Sequence, residues 1–390
     1  MSKKSWILTD TAAGVHQDEF RISAVDMQSA GKGWSVSQRT LRGGKQDGVD
    51  LIEVDTGSMK LSILPTRGMG VWRAELPSGE MLGWQSPVHG PVHPKFVPVD
   101  EPSGLGWLDG FDELMVRCGL QSNGEPVFDD QGRVTYPLHG HIGNLPAQKV
   151  EVIVDDSAGT ITVRGVVEES RFHFHKLRLT ASIVTKIGST SFTLDDEVEN
   201  YGGTPTGIQM LYHINFGEPM VGEGAQVVAP VREVAPNAPL DSAAIEAWNA
   251  YAAPKAGFVE EVFFLDLIGD DQGQTQVMIK NAAGTSGAAM SLNLNQLPCY
   301  TVWKNMVASA DGYVTGLEPA TNLPNAKPFE ESQGRVVNLE AGEAWSAKVT
   351  VDWLTNAEEV ATTEQAVRAL QGDTSVNVQT GPVAKWSPLS

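Results

Sequence analysis

Cysteine is almost missing: Cys118 and Cys299 are the only two in 390 residues, and they lie far apart. A secreted chain of this size usually carries more, in even sets, so the expected compartment is a reducing cytoplasm with both thiols free. Positive charge is scarce too, with 28 Lys and Arg against 48 Asp and Glu and a formal net charge of −20. That balance argues against nucleic acid and anionic membrane surfaces as partners, since either would be repelled. A phosphorylated ligand would need a local cluster of Arg or Lys. No apolar run approaches the roughly 18 residues of a membrane-crossing helix. Trp6-Ile7-Leu8, near a charged start, is too short for the core of a signal peptide. Zinc-finger spacing, a P-loop, a glycine fingerprint leading into a helix and a repeat of fixed period are all lacking.

What is abundant is turn material, 40 Gly and 22 Pro, alongside 41% hydrophobic residues. Many strands joined by tight turns fit this composition, around an ample core. Alternation is clear at 50–64, which reads as a hairpin turning at Gly57-Ser58, and it is strong from Lys149 onward. Val150, Val152 and Val154 alternate, as do Leu177, Leu179, Ala181 and Ile183, and Phe192, Leu194, Asp196 and Val198. Val336 to Leu339 and Trp345 to Trp353 read as a closing hairpin. About fifteen strands with no compositional linker predict an all-β chain, a large β-sandwich with a few short helices.

The expected organisation is one β domain over 1–355, with a loop insertion at about 84–135 and an excursion at about 218–260. A C-terminal helix and tail over 356–390 follow, with Asn356 and Glu359 forming a capping box and Gly372 the stop. The last residues are read as a loose tail.

Candidate functional residues sit where ladders stop or where loops gather aromatic and charged groups. Glu318, followed by Pro319, is a carboxylate at a strand end, a place for a general base or simply a surface Glu before a turn. Arg67 follows Leu64-Pro65-Thr66, and its five fixed donors suit sugar hydroxyls or a carboxylate. Trp107, Asp109 and Phe111 lie among glycines, either as an aromatic sugar platform or as loop packing. His213 sits inside an apolar strand, Gln209 to Gly217, where a satisfied core histidine is the plain alternative. His139 and His141, two apart, would share a face on a strand and could join His213 as metal ligands. Trp303 and Lys304 end another strand just before Glu318.

Four of these segments, in order, resemble the aldose 1-epimerase (galactose mutarotase) family. Gly316-Leu317-Glu318-Pro319 with Pro324-Asn325 is similar to its glutamate segment, and Tyr212-His213-Ile214-Asn215-Phe216 to its N-H-x-Y-F-N segment with the catalytic histidine. Leu138-His139-Gly140 resembles its substrate-binding H-G, and Pro65-Thr66-Arg67-Gly68 the strand end with its sugar-binding arginine. Tyr212 stands where the family has Asn, and the 84–135 segment and C-terminal helix lie outside the common core. Asp109, Gln296 and Lys304 are the candidates for the family's sugar-binding aspartate position.

The resemblance implies a galactose mutarotase-like supersandwich and a divergent enzyme that interconverts anomers of a free sugar. Glu318 would be the base and His213, as an imidazolium, the acid. Arg67 and His139 would hold hydroxyls, and Trp107 or Trp303 would stack on the ring. No cofactor is needed, the partner is a small carbohydrate, and the chain would be a monomer or homodimer. A metal-dependent sugar isomerase or lyase on the histidine cluster, and a carbohydrate-binding protein without turnover, are the competing readings.

Overall fold

The structure is a computed structural model that describes residues 3–28 and 33–389. Two large sheets dominate it, one of ten strands and one of fourteen. In the ten-stranded sheet burial alternates residue by residue along strands such as Lys149–Asp155 and Thr160–Ser170. One face meets water and the other feeds the core, which is why these strands were readable from period-2 patterning. A continuous hydrophobic core draws on both sheets, from Leu8, Val152 and Leu194 on one to Ile52, Ile63 and Ile214 on the other.

The central strands of the larger sheet are different. Five of them carry the site: β1 (Met115–Leu120), β2 (Thr206–Gly217), β3 (Glu261–Leu267), β4 (Cys299–Asn305) and β5 (Val314–Ala320). They run antiparallel in the spatial order β3-β4-β5-β2-β1. Every residue of β1 and β5 is buried. One face lies on the first sheet, and the other is covered by the chain between residues 84 and 114, so both faces are buried and the alternation of buried with exposed positions disappears. For that reason a core strand, β1, hides inside what reads as a loop insertion.

One ion pair ties the layers. Arg117 on β1 donates from Nε to Asp196 Oδ2 at 2.6 Å and from Nη2 to Oδ1 at 2.9 Å. Asp196 lies on the strand Ser191–Asn200 of the ten-stranded sheet, and both side chains are fully enclosed. The fork geometry, with a further bond to Met69 O at 2.7 Å, satisfies most of the guanidinium.

Two expectations are corrected by the topology. Val337–Leu339 pairs with Thr206–Ile208 of β2, whereas Ala344–Leu354 pairs with Ser191–Glu199. The turn between them carries the chain from one sheet to the other, so the closing hairpin does not form. The segment read as a loose tail is docked: Asn377–Val378 pairs in parallel with Glu233–Val234, and Trp386 O accepts from Asn325 Nδ2 at 2.8 Å. The expected helix at the C-terminal end is Ala357–Gln371, capped by Asn356 through Glu359 N. Two further α-helices, Ser242–Glu246 and Lys327–Ser332, occur among the described residues. No helix of the described chain is long and apolar enough to cross a membrane.

Removing one partner of the cross-sheet pair leaves a buried charge unpaired. Arg117→Ala or Asp196→Ala therefore loses about 3–5 kcal/mol of unfolding free energy in urea titrations. A loss below about 1 kcal/mol contradicts the clamp.

Candidate active site

Register builds the site floor. Phe264 on β3 faces Thr301 on β4, and Thr301 faces Glu318 on β5. The pairings Leu211 with Ala320 and Ile214 with Leu317 put His213 of β2 opposite Glu318, and His213 in turn faces Val116 on β1. Directly opposed residues share a sheet face, so Phe264, Thr301, Glu318, His213 and Val116 form one row. The adjacent row on the same face is Val262, Trp303, Gly316 and Asn215. Gly316 is the gap in it. A Cβ there would lie 2.4 Å from Glu318 Oε1 and 2.9 Å from His213 Cε1, so only glycine lets the two side chains meet.

His213 Nε2 lies 3.3 Å from Glu318 Oε1, and the two residues are 4% and 2% exposed. Asn215 Nδ2 donates to Glu113 O and His213 O, which leaves its Oδ1 to accept from His213 Nδ1 at 2.6 Å. The imidazole therefore carries its hydrogen on Nδ1 and turns the Nε2 lone pair toward Glu318. Burial pushes the Glu318 carboxyl up to about 8, with the negative charge of Glu260 adding to it. Burial, with His139 nearby, holds His213 well below its ordinary value. Both shifts run the same way, favouring the neutral carboxyl and the neutral imidazole over a carboxylate and an imidazolium. Sequence alone suggests a carboxylate and an imidazolium; the burial of both groups disfavours both of those charges.

Above the floor is a pocket of about 350 Å³. Trp107 and Phe111 roof it: Trp107 packs on His139 with ring centroids 4.6 Å apart, and Phe111 on His213 at 5.1 Å. Trp303 stands 5.4 Å from His213, its Nε1 donating to Glu260 Oε2 at 2.7 Å. His139 donates from Nδ1 to Asn123 O at 2.8 Å, is held down to about 4 by burial, and its Nε2 makes no hydrogen bond among the described residues.

Glu318, His213, His139, Trp107 and Trp303 thus converge on one pocket; Arg67, Lys304, Asp109, Gln296 and His141 do not. Arg67 is 1% exposed, and its fork is spent on Glu113, Val92 O, Asn144 and Gly110 O. It pins the covering chain that carries Trp107 and Phe111. Lys304 follows Trp303 on β4, so it must point to the opposite face, where it meets Glu261 Oε2 at 3.0 Å and Ala247 O at 2.9 Å. Asp109 is exposed outside the lining. Gln296 accepts from Lys348 N. His139 takes a left-handed φ of 57° and Gly140 one of 70°, so there is no strand to align the two histidines, and His141 turns to Asp100 at 2.8 Å. Among the described residues no three His, Cys, Asp or Glu side chains are grouped to hold a metal.

Sequence reasoning missed Thr301, Val262, Phe264, Glu260, Glu125 and Asn237, all of which line the pocket. Thr301 and Phe264 could have been found by pairing β3 and β4 with the Glu318 strand. Asn237 and Glu260 come from the excursion, where no periodic signal exists.

Residues 46–352 match a family described as a domain of unknown function, DUF4432. No curated protein matches the chain. Among solved structures, a protein of Klebsiella pneumoniae subsp. pneumoniae MGH 78578, provisionally named an aldose 1-epimerase, is 36% identical with a TM-score of 0.94, over 98% of this chain and 99% of that one. A galactose mutarotase-like protein of Clostridium acetobutylicum is 15% identical with a TM-score of 0.56, over 82% of this chain and 98% of its own. A galactose 1-epimerase of Lactobacillus acidophilus NCFM is 12% identical with a TM-score of 0.52, over the same shares of the two chains. The last two share the fold.

The protonation of Glu318 has a consequence for stability. An unfolded Glu ionises near 4.5, whereas the folded one holds its proton to about 8. Between those values the native state binds more protons, so its stability falls as pH rises. Glu318→Gln therefore raises the melting temperature relative to wild type at pH 8, with the gain fading toward pH 4. A pH-independent difference contradicts the assignment.

Proposed function

The chain belongs to the DUF4432 family of galactose mutarotase-like proteins, and from that premise we propose that it interconverts the anomers of a free sugar. The observation that carries this reading is the buried contact of Glu318 with His213 at 3.3 Å on the floor of an aromatic pocket; burial raises the pKa of the one and lowers that of the other, so that a single proton rests on Glu318. Mutarotation needs one group to give a proton to the ring oxygen while another takes the anomeric hydroxyl proton. In the resting arrangement Glu318 gives and the Nε2 lone pair of His213 takes. The C1–O5 bond breaks, and the open aldehyde faces a carboxylate and an imidazolium. After rotation about C1–C2, O5 attacks C1, its proton returns to Glu318, and His213 reprotonates the anomeric oxygen. The pair ends as it began, without a net proton from solvent.

The surroundings suit these roles. Asn215 fixes the histidine tautomer, His139 Nε2 is available to accept from a sugar hydroxyl, and Trp107, Phe111 and Trp303 offer ring faces to C–H surfaces.

Anomer exchange measured by NMR tests the proposal. Glu318→Gln and His213→Asn each slow exchange by about 10²–10⁴-fold, and full activity in either ends it. Gly316→Ala, which forces the pair apart, is expected to retain the far-UV CD of the wild type and lose at least about tenfold in rate. The pH profile of wild-type kcat/KM falls above about 8, where Glu318 loses the shared proton. A profile rising through pH 9 contradicts the roles assigned.

A further inference from the structure

The lining of this pocket carries information about the sugar. Resting on the mutarotase reading, we infer that the substrate is an uncharged deoxy aldose, with hydrogen or methyl where the parent carries a hydroxyl or hydroxymethyl group.

The first half of the inference rests on donors. Phosphate, carboxylate and sulfonate oxygens only accept hydrogen bonds, and they bind where Arg, Lys or several N–H groups converge. Among the described residues no Arg or Lys lines the pocket. Lys304, next to Trp303, and Lys327, two residues from Asn325, are buried and committed to protein partners, as is Arg67 under the covering chain. His139 uses its N–H on Asn123 O and leaves an acceptor. Asn325 spends its Nδ2 on Glu330 and on Trp386 O. Glu125 and Glu260, both exposed, add negative charge where the pocket opens. A sugar hydroxyl can donate to such a site, whereas an anionic group finds repulsion and few donors.

The second half rests on the walls. Leu105, Leu108, Leu138, Val262 and Phe264 all line the pocket. Leu105 and Leu108 are 44% and 45% exposed, flanking Trp107 on the covering chain, so two large aliphatic side chains stand open to water beside the roof. A hydroxyl pressed against them gives up its bonds to water and gains none, while a C–H or methyl group gains burial. An ammonium would have to shed its water against the same wall. A fully hydroxylated aldose can direct only part of its rim at His139 Nε2, the unpartnered Thr301 Oγ1 and Asn237.

Matched pairs test this directly: galactose with 6-deoxygalactose, glucose with 2-deoxyglucose and 6-deoxyglucose, and ribose with 2-deoxyribose. Glucuronate, glucose 6-phosphate and glucosamine serve as charged probes. Exchange rates come from NMR on the full chain, and binding from saturation transfer in the same tubes. At least one deoxy sugar is expected to exceed its parent about tenfold or more in kcat/KM, with no acceleration of the charged sugars. Leu108→Asn, at an exposed position, is expected to remove most of that preference. Parents that match or exceed every deoxy partner, or a preferred charged sugar, overturn the inference while leaving mutarotation standing. Binding that ranks deoxy sugars first with no exchange of any sugar does the opposite.

Discussion

Everything at this site depends on two titratable side chains, Glu318 and His213, meeting across a glycine inside an enclosed sheet floor. Glu318 and His213 come from neighbouring strands, and their contact at 3.3 Å exists because Gly316 has no side chain to fill the space. Burial then decides the charge. A carboxylate and an imidazolium would each need solvation that an enclosed sheet floor does not offer, and keeping the proton on the acid avoids both costs. Asn215 completes the constraint by choosing which imidazole nitrogen is free.

That floor is useful only under a cover, and the cover explains the buried arginine. Arg67 binds Glu113, Asn144 and two backbone carbonyls of the chain between residues 92 and 110. Gly110 lies so close that a Cβ would stand 2.8 Å from its Nη1. Through these bonds the covering chain holds Trp107 and Phe111 over His213 and His139. A residue that looked like a ligand for sugar hydroxyls acts instead as the anchor of the roof. Among the described residues no Arg or Lys is left in the pocket lining.

The ten-stranded sheet was legible because water on one side forces a period of two, as in Val150, Val152 and Val154. Glu318 and His213 stood out through the motifs around them, of which Gly316 and Asn215 do shape their contact, whereas Pro319, read as the stop of its strand, lies inside β5. β1 was hidden because both of its faces are covered, so Met115 to Leu120 carries no alternation. The error over Lys304 was avoidable, since adjacent residues on a strand cannot both face one pocket. Arg67 was not avoidable: its partners, Glu113 and Asn144, lie 46 and 77 positions away and no local pattern joins them. His139 and His141 were misaligned by a left-handed backbone that sequence did not announce.

The shared proton is the central claim, and ¹⁵N NMR of histidine-labelled protein between pH 5 and 9 tests it most directly. The account predicts that at pH 7 His213 is neutral, with hydrogen on Nδ1 and an unprotonated Nε2, and that its signals respond near pH 8 as Glu318 ionises. A doubly protonated His213 at pH 7 would contradict it. The pair would then be an ordinary ion pair, and the resting roles of acid and base would have to be exchanged.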